Sequence, residues 1–330
     1  MYTLTNQVGG NAVAVFARGA NGRLTAAGTV STGGTGTGAS LGSQSAVTLS
    51  DDGRWLFAVN AGSNDVSVFS VSPAGLALAS RTASGGTLPI SLTVHGNVLY
   101  VLNAGGTGNI SGFAVGTSGA LTAIAGATRP LSGSNVGPAQ VSFSPDGRRL
   151  VVTEKNTNQL DVYAVDANGV ASGPTTTASA GGTPFGFSFG HRNELFVSEA
   201  AGSASSYELD ATGGVSLVSG AVLTHQGAPC WAVVTNDGRI GFTGNGAGSV
   251  SAFAIAPDGA IGLVDANGGT ALIGAGINDI ALSHNSRYLY VLQTGGAPAV
   301  HAFRVQADGH LTPLGAIAGL PNGTRGLAAF

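Results

Sequence analysis

An alternating strand that closes on an aromatic residue returns seven times along this chain of 330 residues. It reads Val13-Ala14-Val15-Phe16, Val66-Ser67-Val68-Phe69 and Ile110-Ser111-Gly112-Phe113 in the first part of the chain. It returns as Leu160-Asp161-Val162-Tyr163, Ala204-Ser205-Ser206-Tyr207, Val250-Ser251-Ala252-Phe253 and Val300-His301-Ala302-Phe303. The aromatics lie 53, 44, 50, 44, 46 and 50 residues apart. A strand-built unit of that period cannot bury its own faces and must pack against copies of itself, which is how propeller blades are made.

Turn chemistry divides each repeat into strands. After the aromatic come Asn21-Gly22, Ala74-Gly75, Ser118-Gly119, Asn168-Gly169, Thr212-Gly213, Asp258-Gly259 and Asp308-Gly309, pairs that let a tight hairpin follow the right-handed strand twist. Two more strands precede it, as in Gln140-Val141-Ser142-Phe143 and Leu150-Val151-Val152-Thr153, joined through Pro145-Asp146-Gly147. The chain opens on Tyr2-Thr3-Leu4, which matches a second strand, and ends on Arg325-Gly326-Leu327-Ala328-Ala329-Phe330, which matches a first. Wrapping from Phe303 to Phe16 gives a seventh gap of 43 residues. The expectation is an all-β, seven-bladed β-propeller with four antiparallel strands per blade, spanning 1–330 as one domain. Its ring closes by pairing the C-terminal strand with the N-terminal ones, which removes exposed sheet edges.

Composition narrows the partners. Hydrophobic residues make up 43% and charged residues 9%, enough apolar surface for a large core. Net charge is −3 and Lys155 is the only lysine, so there is no basic stripe for nucleic acid or an anionic membrane. A lone cysteine, Cys230, excludes an internal disulfide and a cysteine-based zinc site. No 18-residue apolar run is present. A first strand beginning at Tyr2, with low charge and loops rich in Ser, Thr, Gly and Ala, fits a secreted or periplasmic chain whose signal has been removed; the alternative is cytoplasmic. A monomer is expected.

In such a blade the one–two and three–four hairpins share one rim, and the two–three loops and blade-to-blade crossovers share the other. The hairpins are short and uniform. The crossovers are long and varied at 28–44, 125–138, 219–229 and 265–277, which assigns the functional mouth to the crossover rim. One column of residues ends each second strand: Thr5, Asn60, Asn103, Glu154, Glu199, Asn245 and Gln293. Such a column can tie down local loops, or present oxygens to a Ca²⁺-like cation. Glu154 and Glu199 put carboxylates where amides suffice, and are the candidate catalytic acid–base pair; Asn103 and the neighbouring Lys155 are candidate substrate contacts. A second column begins the innermost strands. There Gln140, Phe185, Trp231 and Arg325 form a mixed apolar and polar mouth, with Arg325 able to hold a carboxylate bidentately or to pair with Asp279. The alternative is that Phe185 and Trp231 simply plug the channel. His225 lies in a crossover and joins the substrate contacts, whereas His95, His191 and His284 fall in hairpins on the opposite rim. The string Gly-Xaa-Ser-Xaa-Gly occurs at 38–42 and 186–190, but no helical periodicity follows either, so neither reads as a nucleophile elbow; no His-Glu-Xaa-Xaa-His pair or phosphate loop occurs.

The segments from Leu56 through Asn60-Ala61-Gly62-Ser63-Asn64-Asp65 to Phe69, and from Phe143-Ser144-Pro145-Asp146-Gly147 to Leu150, resemble the lactonase family of seven-bladed propellers. That family includes 6-phosphogluconolactonases and carboxymuconate-lactonising enzymes. The resemblance implies lactone ring opening or closure by His, Arg and acidic side chains at the mouth. The acidic positions are met here by Glu154 and Glu199, while the inner strand starts read Ala139-Gln140 and Phe185-Gly186. Three functions follow as expectations. The first is a lactonase-like hydrolase or lactonising enzyme acting on a small cyclic or carboxylated compound at the crossover-side mouth, with no cofactor. The second is a non-catalytic binding or surface scaffold. The third is a metal-dependent hydrolase using the Asn/Glu column.

Overall fold

The computed structural model describes residues 1–190 and 193–330, all strands, turns and loops; His191 lies outside the described residues. Seven antiparallel sheets form the ring. Blade one is assembled from both ends of the chain, in the order Arg325–Ala328, Tyr2–Leu4, Ala12–Arg18, Leu24–Ser31. Tyr2 pairs with Ala328 and Thr3 with Leu327, and the Thr3 hydroxyl donates to the Gly326 carbonyl at 2.5 Å. The ring is therefore closed as the repeat requires.

Blade four shows the regular pattern: Pro138–Phe143, Arg149–Glu154, Gln159–Val165 and Ala171–Ala178, each pairing with the next. Blades three and six depart from it. Their outer edges are split, into Leu121–Ala123 with Arg129–Pro130 and Ile261–Leu263 with Ala271–Leu272, both pieces pairing with the third strand. Parts of the stretches read as long crossovers thus return to the sheet as extra edge pairing.

Burial falls from the axis outward because only the inner strands are covered on both faces. Second strands such as Trp55–Asn60 and Arg149–Glu154 are buried almost throughout, while the outermost Gly75–Ala83 is mostly exposed. The repeat aromatics sit between blades; Phe69, Tyr163 and Phe253 are fully buried. Each such side chain contributes about 1.5–3 kcal/mol by leaving water. Tyrosines on second strands also brace the next blade: Tyr100 donates to the Gly169 carbonyl at 2.7 Å, and Tyr290 to that of Gly22 at 3.0 Å. The one–two hairpins are locked by a short side-chain link. Ser50 donates to Asp52, Ser144 to Asp146 and Thr235 to Asp237, each at 2.6 Å. The Ser50 bond, with the Arg54 amide and guanidinium, holds Asp52 down at about 2.

Candidate functional site: the two ends of the axial channel

The long crossover from blade one to blade two runs across the channel at the crossover rim. Its end is fixed by hydrogen bonds to three other blades. The Gln44 amide pairs with blade six like one residue of a β-ladder, Nε2 donating to the Ala232 carbonyl at 2.8 Å and Oε1 accepting from its N–H at 2.9 Å. The Trp231 indole donates to the Ser43 carbonyl at 3.1 Å, the Ser43 hydroxyl to Ile90 O at 2.8 Å, and the Gln44 N–H to Ala139 O at 3.2 Å. Ser45 takes φ +64°, a left-handed turn that redirects the chain from this plug into the inner strand of blade two. Blade five makes room for it at Gly186, where a Cβ would sit 2.1 Å from Gln44 Oε1.

Several expected mouth residues belong to this closure. Phe185 and Trp231 are buried and meet edge to face, with centroids 5.5 Å apart, so the channel-plug alternative describes them. Gln140 is buried too, its amide exchanging hydrogen bonds with the backbone of Phe187 at 3.0 and 2.8 Å. Lys155 donates to the carbonyls of Gly42 at 2.5 Å and Pro138 at 3.0 Å, and its ammonium lies 5.0 Å from the Phe185 ring centroid. Burial pulls that ammonium down to about 8 and pushes the nearby Cys230 thiol up to about 12. Arg325 is half-buried and donates to Thr294 Oγ1 at 3.3 Å and Thr324 O at 2.6 Å. It does not pair with Asp279, whose carboxyl is buried and accepts the N–H groups of Ile280 and Leu327 at 2.8 and 2.9 Å. Among the described residues no carboxylate stands within ion-pair distance of Lys155 or Arg325. His225 is on an exposed turn at φ +55°.

Glu154 and Glu199 are placed otherwise than the sequence led us to expect. Both are fully buried inside their own blades rather than converging on the pore. Glu199 accepts from Ser179 Oγ at 3.0 Å, Gly181 N–H at 2.8 Å, Ser203 Oγ at 2.5 Å and Ser205 Oγ at 2.6 Å. Glu154 accepts from Ser132 N–H at 3.1 Å, Ser132 Oγ at 2.5 Å and Thr157 Oγ1 at 2.7 Å. Their column behaves alike in other blades. Asn60 donates to Asp65 and Ser67, Asn245 to Ser249 and Ser251, and Asn103 to Asn109 and the Ser84 carbonyl. The end of a second strand thus points into the blade, where polar groups of the third strand await it. The column is a set of separate ties and not a converging ring of cation ligands.

Blade four carries an acidic version of the tie. Asp161 stands where blades two, five and six have Ser67, Ser205 and Ser251, and its Oδ2 shares the Ser132 N–H with Glu154, at 3.2 Å. Its other oxygen is buried without a hydrogen-bond partner. Burial first, and the adjoining Glu154 second, hold the Asp161 carboxyl far above the ordinary carboxylate range.

Beyond the plug the channel opens the other way. A cavity of about 430 Å³ has its floor at Gln44 and its mouth among the one–two hairpins, the rim read as purely structural. Its lining includes Thr48, Asp51, Ser188, Val233, His284 and Phe330. Of these residues, the sequence placed His284 in a one–two hairpin and Gln44 at the end of the 28–44 crossover, and neither was among the candidate site residues.

A closed seven-bladed propeller whose axial channel is blocked at one end and open at the other defines the class of protein. The profile of the family described as "Lactonase, 7-bladed beta-propeller" matches residues 9–129. The resemblance to the lactonase propellers therefore holds, by sequence over that stretch and by fold over almost the whole chain. A candidate 6-phosphogluconolactonase from Bacteroides fragilis is similar at 20% identity and TM-score 0.78, covering 97% of this chain and 95% of that one. A periplasmic gluconolactonase from Pseudomonas aeruginosa is similar at 19% identity and TM-score 0.75, covering 98% of each chain. A protein from Lactobacillus plantarum follows at 18% identity and TM-score 0.75, covering 96% and 94%. No curated protein sequence matches. Among the described residues, no helix is long and apolar enough to cross a membrane.

Proposed function

We propose that this propeller is a lactonase-like enzyme that opens, or in reverse closes, the ring of a small cyclic ester at the crossover-side end of the channel. The observation that carries the reading is two cations at that rim, Lys155 and Arg325, each half-buried and, among the described residues, without an ion-paired carboxylate. Uncompensated charge held partly out of water is poised for an anion, and ring opening of a lactone creates one. An amine lowered to about 8 is partly neutral near physiological pH and can accept a proton from attacking water. Water adds to the ester carbonyl, the ring C–O bond breaks, and the proton taken by Lys155 returns to the departing alkoxide. The carboxylic acid so formed releases its remaining proton to solvent, and Arg325 holds the new carboxylate.

The test is a panel of γ- and δ-lactones followed by pH-stat against uncatalysed hydrolysis. A rate above background that falls in Lys155→Met and Arg325→Ala supports the reading. A flat panel overturns it in favour of a non-catalytic binding propeller, the second reading, which the internal bonding of Glu154 and Glu199 favours.

A further inference from the structure

We propose that the cavity on the hairpin rim is a second binding site, separate from the crossover-side end and built for an uncharged polyhydroxylated ring such as a neutral sugar. Its volume of about 430 Å³ suits one small molecule. Because the Gln44 amide is committed to the Ala232 backbone, the cavity is a blind pocket and not a passage to the cationic end.

The lining chooses the ligand's charge. Among the described residues, neither lysine nor arginine lines it; the titratable side chains that do are Asp51, exposed at the mouth, and His284. A phosphate or carboxylate would meet no permanent cation among these residues and would give up its hydration for little in return. Neutral hydroxyls lose far less and find partners. Ser188 Oγ accepts the Val234 N–H at 3.2 Å and keeps its own proton to donate, Thr48 adds a hydroxyl, and Asp51 offers an acceptor. At the mouth, Phe330 is 50% exposed and stacks on His284, with centroids 5.2 Å apart and planes 22° from parallel. A large aromatic left half in water beside a pocket presents a flat apolar face, and the C–H face of a sugar ring fits such a platform.

The experiment is saturation-transfer NMR with calorimetry on the full chain, using methyl β-D-glucopyranoside and myo-inositol as neutral probes and glucose 6-phosphate as the charged one. Saturable binding of at least one neutral probe is expected, with the phosphate at least about tenfold weaker. Val233→Trp, which fills the pocket, abolishes binding, and Phe330→Ala weakens it about fivefold. Arg325→Ala, at the other end of the channel, leaves affinity unchanged, so this site stands or falls independently of lactone turnover. If Val233→Trp does not fold, the exposed Phe330→Ala carries the test. Absence of saturable binding by either neutral probe, equal affinity for the phosphate, or unchanged affinity in both pocket variants overturns the proposal.

Discussion

Replacing Asp161 by Asn should stabilise the protein at alkaline pH. The structure gives the reason in blade four, where Asp161 and Glu154 are both fully buried and one Ser132 N–H serves both carboxyl groups. Asp161 Oδ1 faces no donor, so the pair is tolerable only with a proton on Asp161. Its folded-state pKa lies above the unfolded one, so the folded chain binds a proton that the unfolded chain has released. Stability contributed here is greatest in acid and falls as pH rises above the ordinary carboxylate range. An amide donates permanently what the acid donates only when protonated, and blade two already uses that arrangement, Asn60 donating to Asp65 at 2.6 Å. A recovered hydrogen bond to a charged acceptor is worth about 1.5–3 kcal/mol. With an unfolding entropy of about 2.1 cal/mol/K per residue, that is about 2–4 °C in Tm. Urea and thermal unfolding of both proteins at pH 5 and pH 9 should show near-equality in acid and a gain for Asp161→Asn in base. An equal loss at both pH values would refute the shared-proton argument, since it would mean that shape and not charge governs the position.

Further outcomes follow from the plug and the ring. With any lactone that proves to be a substrate, kcat/KM should rise as pH passes about 8, where Lys155 loses its proton, and Lys155→Arg should lower it at least about 100-fold by keeping the charge and abolishing the titration. Gln44→Leu strips partners from both backbone groups of Ala232 and should cost about 2–4 kcal/mol in urea unfolding, with little change in secondary structure by circular dichroism. Gly268 has φ +70° and a Cβ there would lie 1.7 Å from the Thr224 carbonyl, so Gly268→Ala should destabilise by more than about 3 kcal/mol and express poorly.

The ring was legible because its causes are local and repeated. Strand alternation, the aromatic that fills each gap between blades and the turn glycines recur seven times, and Tyr2 against Ala328 is the register the split blade demands. The site was less legible because direction and long-range contact leave no periodic trace. Position in the sequence placed Glu154 and Glu199 correctly at strand ends, but could not say that those ends face serine and threonine hydroxyls. Gln44 has no counterpart in other repeats, and its partner is 188 residues away. The uniform hairpins that made one rim look inert also frame the cavity at the open end of the channel.

The side-chain pairing of Gln44 with Ala232 is a chord drawn across a wheel. A ring of blades joined only to their neighbours can ovalise with little resistance, and a tie from the second blade to the sixth removes that freedom. It also sets an order of assembly, because the tie cannot form until the intervening blades have brought its two anchors face to face, and closing a span that long is entropically slow. Cutting the chord should therefore leave early folding untouched and show itself in the last kinetic phase and in hydrogen exchange at the inner strand Pro229–Val234.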